Sequence, residues 1–156
     1  DYVDSLVHHG FEKIVITNSH GGNTATISRA LPELQKKYPE IKIIYFFDQE
    51  TTTALAALCR KFELTPGEMG SHAGDMETSI MLHIDSKWVK KEEFVRGFTK
   101  PIDDQIRQKY REEGFEWLSE YGVVGDQRKA TPEKGAEYIQ TLKGAMMAYI
   151  KKKLNG

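Results

Sequence analysis

Lys13-Ile14-Val15-Ile16-Thr17-Asn18-Ser19-His20-Gly21-Gly22-Asn23-Thr24 decides the reading of this chain. Its first five residues are an apolar, β-branched run, the pattern of a buried strand. From Thr24 to Lys37 the pattern is helical, and Tyr38-Pro39 ends it. A histidine therefore stands in a glycine-flanked turn at the carboxyl end of a strand, the edge at which open α/β sheets bind ligands. Gly21 and Gly22 leave room for a metal or substrate to approach the backbone. Two readings of Asn18 to Asn23 are open: a ligand site built on His20, or a tight strand-to-helix turn with an incidental histidine.

Outward from this stretch, strand-like and helix-like segments alternate. Ile41 to Phe47 is an almost continuous apolar run, as expected of a strand covered on both faces. It is predicted to lie parallel to and beside Lys13 to Thr17, with the 24–37 helix as crossover. Tyr2 to His9 reads as a helix closed by Gly10. Thr51 to Phe62 reads as a helix, Leu64 to Gly74 as a glycine-containing loop, and Glu77 to His83 as the start of another helix. Further on, Ile102 to Glu113 is a polar helix and Tyr121 to Gly125 a short strand or turn. Thr131-Pro132 caps a last helix that runs to about Lys153. Repeated strand–helix units predict an α/β fold whose mostly parallel sheet is covered by helices, in one domain.

A second constellation is Gly70-Ser71-His72-Ala73-Gly74-Asp75-Met76-Glu77-Thr78-Ser79. It places one base, His72, and one carboxylate, Glu77, at the entry to an apolar helix, with glycines on both sides of the histidine. Asp75 reads as a first-turn carboxylate that complements the helix dipole. Glu77, beside the glycine-flanked histidine, reads as functional. His83 reads as a packing histidine, and Cys59, inside the apolar run Ala54 to Cys59, as a buried inert thiol.

Composition narrows the classes of function. At 156 residues and 39% hydrophobic the chain can bury a real core. A net charge of −1 gives no electrostatic pull toward nucleic acid or an anionic membrane. No apolar run has membrane-spanning length. One cysteine excludes an internal disulfide framework and fits a reducing compartment, so a cytoplasmic protein is expected. No GxGxxG or Walker pattern supports nucleotide binding.

The two motifs, with Gly122-Val123-Val124-Gly125-Asp126-Gln127-Arg128-Lys129-Ala130-Thr131 following in order, resemble the creatininase family of creatinine amidohydrolase-like enzymes. The similarity runs from about Phe11 to about Ile139. It implies a three-layer α/β fold and a divalent metal, zinc, manganese or iron. His20 would bind that metal, and His72 would lie over the substrate to orient it or transfer a proton. Glu77 would shuttle a proton or contact the metal. Asn18 and Asn23 would hold the turn. Family members begin with a further segment that supplies a Glu, a His and an Asp to the metal, so this chain is expected to be the carboxyl-terminal portion of a longer hydrolase. Creatininase itself carries a metal-binding glutamate where Gly22 stands. The implied activity is metal-dependent hydrolysis of a non-peptide C–N bond in a small cyclic amide or formamide. The implied assembly is a homo-oligomer, in this family often a hexamer. The competing reading is a non-catalytic fragment or binding subunit with the same fold and an incomplete metal site.

Overall fold

The computed structural model describes residues 1–46 and 49–155, with the side chains of Gln49 and Glu50 left out of the description. The end of the second predicted strand, Phe47, and the acidic residues Asp48 and Glu50 lie partly or wholly outside it. The chain divides into two compact units, Asp1–Thr51 with Gly144–Gly156, and Thr52–Lys143.

In the first unit, α1 (Tyr2–His8) ends as Gly10 predicts. Gly10 takes φ +83°, donates to Val7 O at 2.9 Å, and lets Phe11 N reach back to Leu6 O at 3.1 Å. These two bonds satisfy carbonyls that a helix end leaves open. Strand β1 (Lys13–Ile16) then pairs in parallel with β2 (Lys42–Tyr45), Ile14 opposite Ile43 and Ile16 opposite Tyr45. The crossover between them is α2 (Thr24–Lys37), with the bounds the sequence predicts. Val3, Ile14 and Ile41 form the core, and Val7, Ile16, Leu34, Tyr38 and Ile43 pack against it. Asp4 ties α1 to the end of α2, accepting from Tyr38 OH at 2.8 Å and Lys37 Nζ at 2.9 Å. Among the described residues the sheet has these two strands, parallel as expected.

The second unit is mainly helical. It holds the body of α3 (Gln49–Lys61), then α4 (Pro66–Met69), α5 (Asp75–Asp85), α6 (Asp104–Glu113), α7 (Phe115–Leu118) and the first half of α8 (Pro132–Asn155). The segment predicted as a loop between Leu64 and Gly74 contains α4. Thr65 Oγ1 accepts from Glu68 N at 3.2 Å, while Glu68 accepts from Thr65 N at 2.8 Å. This reciprocal cap, with Pro66 at the first helical position, nucleates a single turn. Leu58, Cys59, Leu64, Met69 and Tyr138 form the core. Cys59 is buried, as expected, and burial pushes its thiol pKa up.

His83 departs from its sequence reading, and Asp75 carries more than its sequence reading gave it. Asp75 does stand in the first turn of α5. It is fully buried, accepting from Tyr138 OH at 2.8 Å and Lys134 Nζ at 2.9 Å, which joins α5 to α8. Its partners lie some sixty residues away, beyond the reach of a reading confined to its own helix. His83 is exposed rather than packed, although α8 crosses α5 at Ser79 and passes close to the His83 Cβ. Gly135 permits that crossing: a Cβ there would collide with Ser79 O and come within 2.8 Å of His83 Cβ.

Removing the Asp75 carboxylate leaves a nearly buried ammonium and a buried phenol short of a partner. We expect Asp75→Ala to destabilise the chain by about 3 kcal/mol. Tyr138→Phe, which leaves the Asp75–Lys134 pair intact, should cost about 1 kcal/mol. Urea unfolding monitored by circular dichroism measures both.

Candidate functional site

The His20 turn is held by its own polar side chains. Asn18 Oδ1 accepts from His20 N at 3.1 Å and from Asn23 Nδ2 at 3.4 Å, and Asn18 Nδ2 donates to His20 O at 2.8 Å. Both asparagines therefore hold the turn, as expected. A short 3₁₀ turn, Gly21–Asn23, feeds α2. The His20 imidazole folds back over Gly22, where a Cβ would lie 2.9 Å from Nε2. A side chain at Gly22 would push the ring away, so the glycine sets where the ring can sit. His20 is exposed.

His72 and Glu77 lie in the second unit, His72 on the loop that leads into α5 and Glu77 in the first turn of that helix. Three glycines interlock around this loop. A Cβ on Gly70 would come within 2.8 Å of Gly125 Cα and 2.9 Å of Gly74 Cα, and would also strike Val124 O. A Cβ on Gly74 would meet Met69 O at 2.5 Å, and one on Gly125 would meet Gly70 Cα at 3.0 Å. Gly70 also has φ +82°, a conformation that L side chains rarely adopt. Because the backbones approach this closely, Val124 can pair with the loop. Val124 N donates to His72 O at 2.8 Å, and Val124 O accepts from Ser71 N at 2.9 Å and His72 N at 3.3 Å. The Tyr121–Gly125 segment, read as strand or turn, is thus half of an isolated antiparallel bridge.

Between His72 and Glu77 the backbone is strained. Ala73 has φ +49°, unusual for a residue with a side chain. Two bonds from α5 oppose that strain: Glu77 Oε2 accepts from Ala73 N at 2.6 Å, and Thr78 Oγ1 donates to Ala73 O at 3.2 Å. Glu77 thus ties its helix to the residue beside His72, and no hydrogen bond joins the two side chains. Glu77 also lines an open cleft of about 780 Å³ with Thr78, Met81, Trp88, Phe94, Tyr121 and others.

Asp126, Gln127 and Arg128 carry no individual role in the sequence reading. Asp126 is almost fully buried and accepts from Arg128 Nε at 3.0 Å, Arg128 NH2 at 2.8 Å and Arg128 N at 3.1 Å. Arg96 stands 3.9 Å away. These contacts, the Arg128 hydrogen bonds first, lower the Asp126 pKa. Gln127 joins two elements, accepting from Val95 N at 3.3 Å and donating to Thr78 Oγ1 at 3.4 Å. The Asp126-Gln127-Arg128 triplet was visible in the sequence, but its partners at 78, 95 and 96 were not.

A family model described as Creatininase: Creatinine amidohydrolase matches residues 1–150, and the chain belongs to the creatininase family. Mycofactocin precursor peptide peptidase of Mycolicibacterium smegmatis (strain ATCC 700084 / mc(2)155) is 30% identical over 123 residues, 79% of this chain and 42% of the relative. The protein of that name from Mycobacterium ulcerans (strain Agy99) is 28% identical over 126 residues, 80% of this chain and 42% of the relative. The chain thus spans about two fifths of the length of these relatives. A solved creatinine amidohydrolase (creatininase) superposes with TM-score 0.77 at 20% identity, over 98% of this chain and 60% of its own. A structure titled Creatininase Mn gives TM-score 0.78 at 19% identity, over 98% and 61%. The creatininase α/β fold expected from the motifs is therefore the fold of this chain. Creatininase structures carry the descriptions Mn and Zn-Zn type.

Among the described residues no group of three or more His, Cys, Asp or Glu side chains is placed to hold a metal ion. A catalytic zinc-type site takes three protein ligands plus water. Asp75, whose oxygens serve Tyr138 and Lys134, is not free to add one. His20 and Glu77 as described do not by themselves fit a complete metal centre.

Two outcomes test this geometry. Gly70→Ala combines an unfavourable φ with a backbone collision; we expect a loss of at least ~2 kcal/mol, a fall in Tm of roughly 4–8 °C for a chain of this size, read by calorimetry. The second concerns acid. The folded pKa of Asp126 lies below its unfolded value, so the stabilisation is complete above the ordinary carboxylate pKa of about 3.9 and disappears as pH falls through the lower folded value. Arg128→Met should therefore lose stability at neutral pH and show a shallower loss as pH falls below about 4. Acid titration of wild type and variant, followed by circular dichroism, checks the sign.

Proposed function

We propose that this chain acts in the divalent-metal-dependent hydrolysis of an amide C–N bond, with a small cyclic amide or formamide as substrate class. Family membership supports the reaction class. The observation that carries the reading in this chain is the division of labour within one carboxylate. Glu77 Oε2 is fixed by the Ala73 N–H, while Oε1 has no partner among the described residues and belongs to a side chain on the cleft wall. One oxygen positions the group and the other is open to take and return a proton, which is what general acid–base catalysis requires. His72, exposed beside it on a pinned backbone, orients the substrate or passes a proton to the leaving nitrogen. His20 is the residue assigned to the metal, which would be zinc, manganese or iron. Such an ion, when bound, polarises the carbonyl and lowers the pKa of water. We derive no step through it, because the described ligands do not complete its site. A homo-oligomer working in the cytoplasm completes the reading.

A second reading, hydrolysis of a peptide amide, has its own support. The relatives at 28–30% identity are named as peptidases of a precursor peptide. The cleft beside Glu77, at about 780 Å³, lies in the upper range of sites that take drug-sized ligands, more room than a small ring needs.

Hydrolysis of creatinine, formamide and a set of short peptides, each with added Zn²⁺, Mn²⁺ or Fe²⁺, separates these readings. Turnover of the cyclic amide or formamide alone supports the first, and turnover of peptides alone the second. No turnover with any metal supports a non-catalytic binding role. In an active preparation we expect His20→Ala to abolish the metal response. Glu77→Gln keeps an acceptor for Ala73 N–H but cannot carry the proton, so kcat should fall by about 10²–10⁴ with Tm nearly unchanged. An active Glu77→Gln enzyme would remove the acid–base assignment.

A further inference from the structure

Among the described residues no group hydrogen-bonds to the His72 imidazole; an aromatic ring packs against it instead. Phe115, the first residue of α7, meets it edge to face, with centroids 5.2 Å apart and planes at 78°. Tyr110, near the end of α6, braces Phe115 from behind at 5.9 Å and 79°. Gly114 makes this possible: at φ +86° it ends α6, donating to Tyr110 O at 2.9 Å, and starts α7 at once. The same short segment also grips the His72 main chain. Leu118 and Ser119 are buried, Ser119 Oγ donates to Val123 O at 2.7 Å, and the next residue, Val124, exchanges backbone bonds with His72. Residues 115–124 therefore hold His72 twice, by its ring at one end and its backbone at the other.

We propose that Phe115 is a positioning residue that keeps the His72 imidazole in one orientation. The catalytic consequence rests on the reading above, in which His72 acts on the substrate; the structural half does not. With its backbone pinned and no hydrogen bond to its ring, His72 retains freedom only in its side-chain torsions. An edge-to-face ring pair biases such a choice by roughly 2- to 10-fold. A phenol at 115 keeps the ring and the bias, while a leucine of comparable bulk keeps the packing and loses the ring–ring geometry.

The test uses the full chain with Phe115→Leu and Phe115→Tyr. Nuclear Overhauser contacts between the His72 imidazole and ring 115, with side-chain couplings of His72, report the orientation directly. We expect one rotamer in wild type and in Phe115→Tyr, and averaged rotamers in Phe115→Leu. In an active preparation kcat should fall roughly 2- to 10-fold in Phe115→Leu, with KM changed less, and return in Phe115→Tyr. Averaged His72 rotamers in wild type, or a single unchanged rotamer in Phe115→Leu, overturn the proposal. Should Phe115→Leu fail to fold, the wild-type and Phe115→Tyr couplings decide it alone. Absence of turnover in wild type would count against the amidohydrolase reading and leave the rotamer measurement to decide this one.

Discussion

The backbone at Gly70, Gly74 and Gly125 comes together more closely than any side chain permits, and the second unit's candidate site depends on that approach. Were Gly70 or Gly125 an alanine, the loop carrying His72 would have to retreat from residues 122–125, and an alanine at 74 would strike Met69 and Gly70 within the loop itself. The hydrogen bonds that Val124 exchanges with Ser71 and His72 would then stretch. Each is worth only ~1 kcal/mol, but together they fix the main chain of a residue that is otherwise exposed. Glycine is costly here in chain entropy, by roughly 0.5–1 kcal/mol per residue relative to alanine. That cost is smaller than the collision it avoids, so close backbone contact wins at all three positions.

The same logic explains how a strained residue survives next to His72. Ala73 at φ +49° carries a penalty of about 1–3 kcal/mol. The bonds that Glu77 and Thr78 make to its N–H and C=O are of comparable size in sum, one of them charge-assisted. Around them α5 is clamped from the far side by the buried Asp75–Tyr138–Lys134 cluster and by the close crossing at Gly135. Strain in the loop is therefore set against a helix that has little freedom to relieve it. Such strain is typical of segments where a side chain must be presented in one geometry.

What was legible in the sequence follows from the range of each interaction. Gly10, the bounds of α2 and the parallel pairing of Lys13–Ile16 with Lys42–Tyr45 are fixed by local caps and apolar periodicity within about thirty residues. Those features can be read from neighbours along the chain. The capping box Thr65-Pro66-Gly67-Glu68 was equally local, but it is brief and lies among glycines, so the segment read as a loop. Asp75 could not be read this way, since its burial depends on Tyr138 and Lys134 arriving from another helix. His83 is exposed even though α8 passes close to its Cβ, and the local pattern of α5 carries no sign of that. Among the candidate residues, both glycine-flanked histidines and Glu77 stood out by residue type. Phe115 and Gln127 did not, because their roles come from contacts across dozens of residues, and Asp126 did not, although its Arg128 partner is only two residues on.

The two histidine turns use glycine in different ways. At His20 the missing Cβ of Gly22 leaves space for the imidazole itself, which folds back over its own turn. At His72 the missing side chains let two stretches of backbone meet, and the ring is steadied by Phe115. A ring lying over its own turn stays with that turn, as suits a ligand presented from one loop. A ring held by a separate helix depends on that helix, so its orientation answers to residues 115–124 as well as to its own loop. Substitutions in that segment, distant in sequence from either motif, therefore act on His72 through both its backbone and its ring.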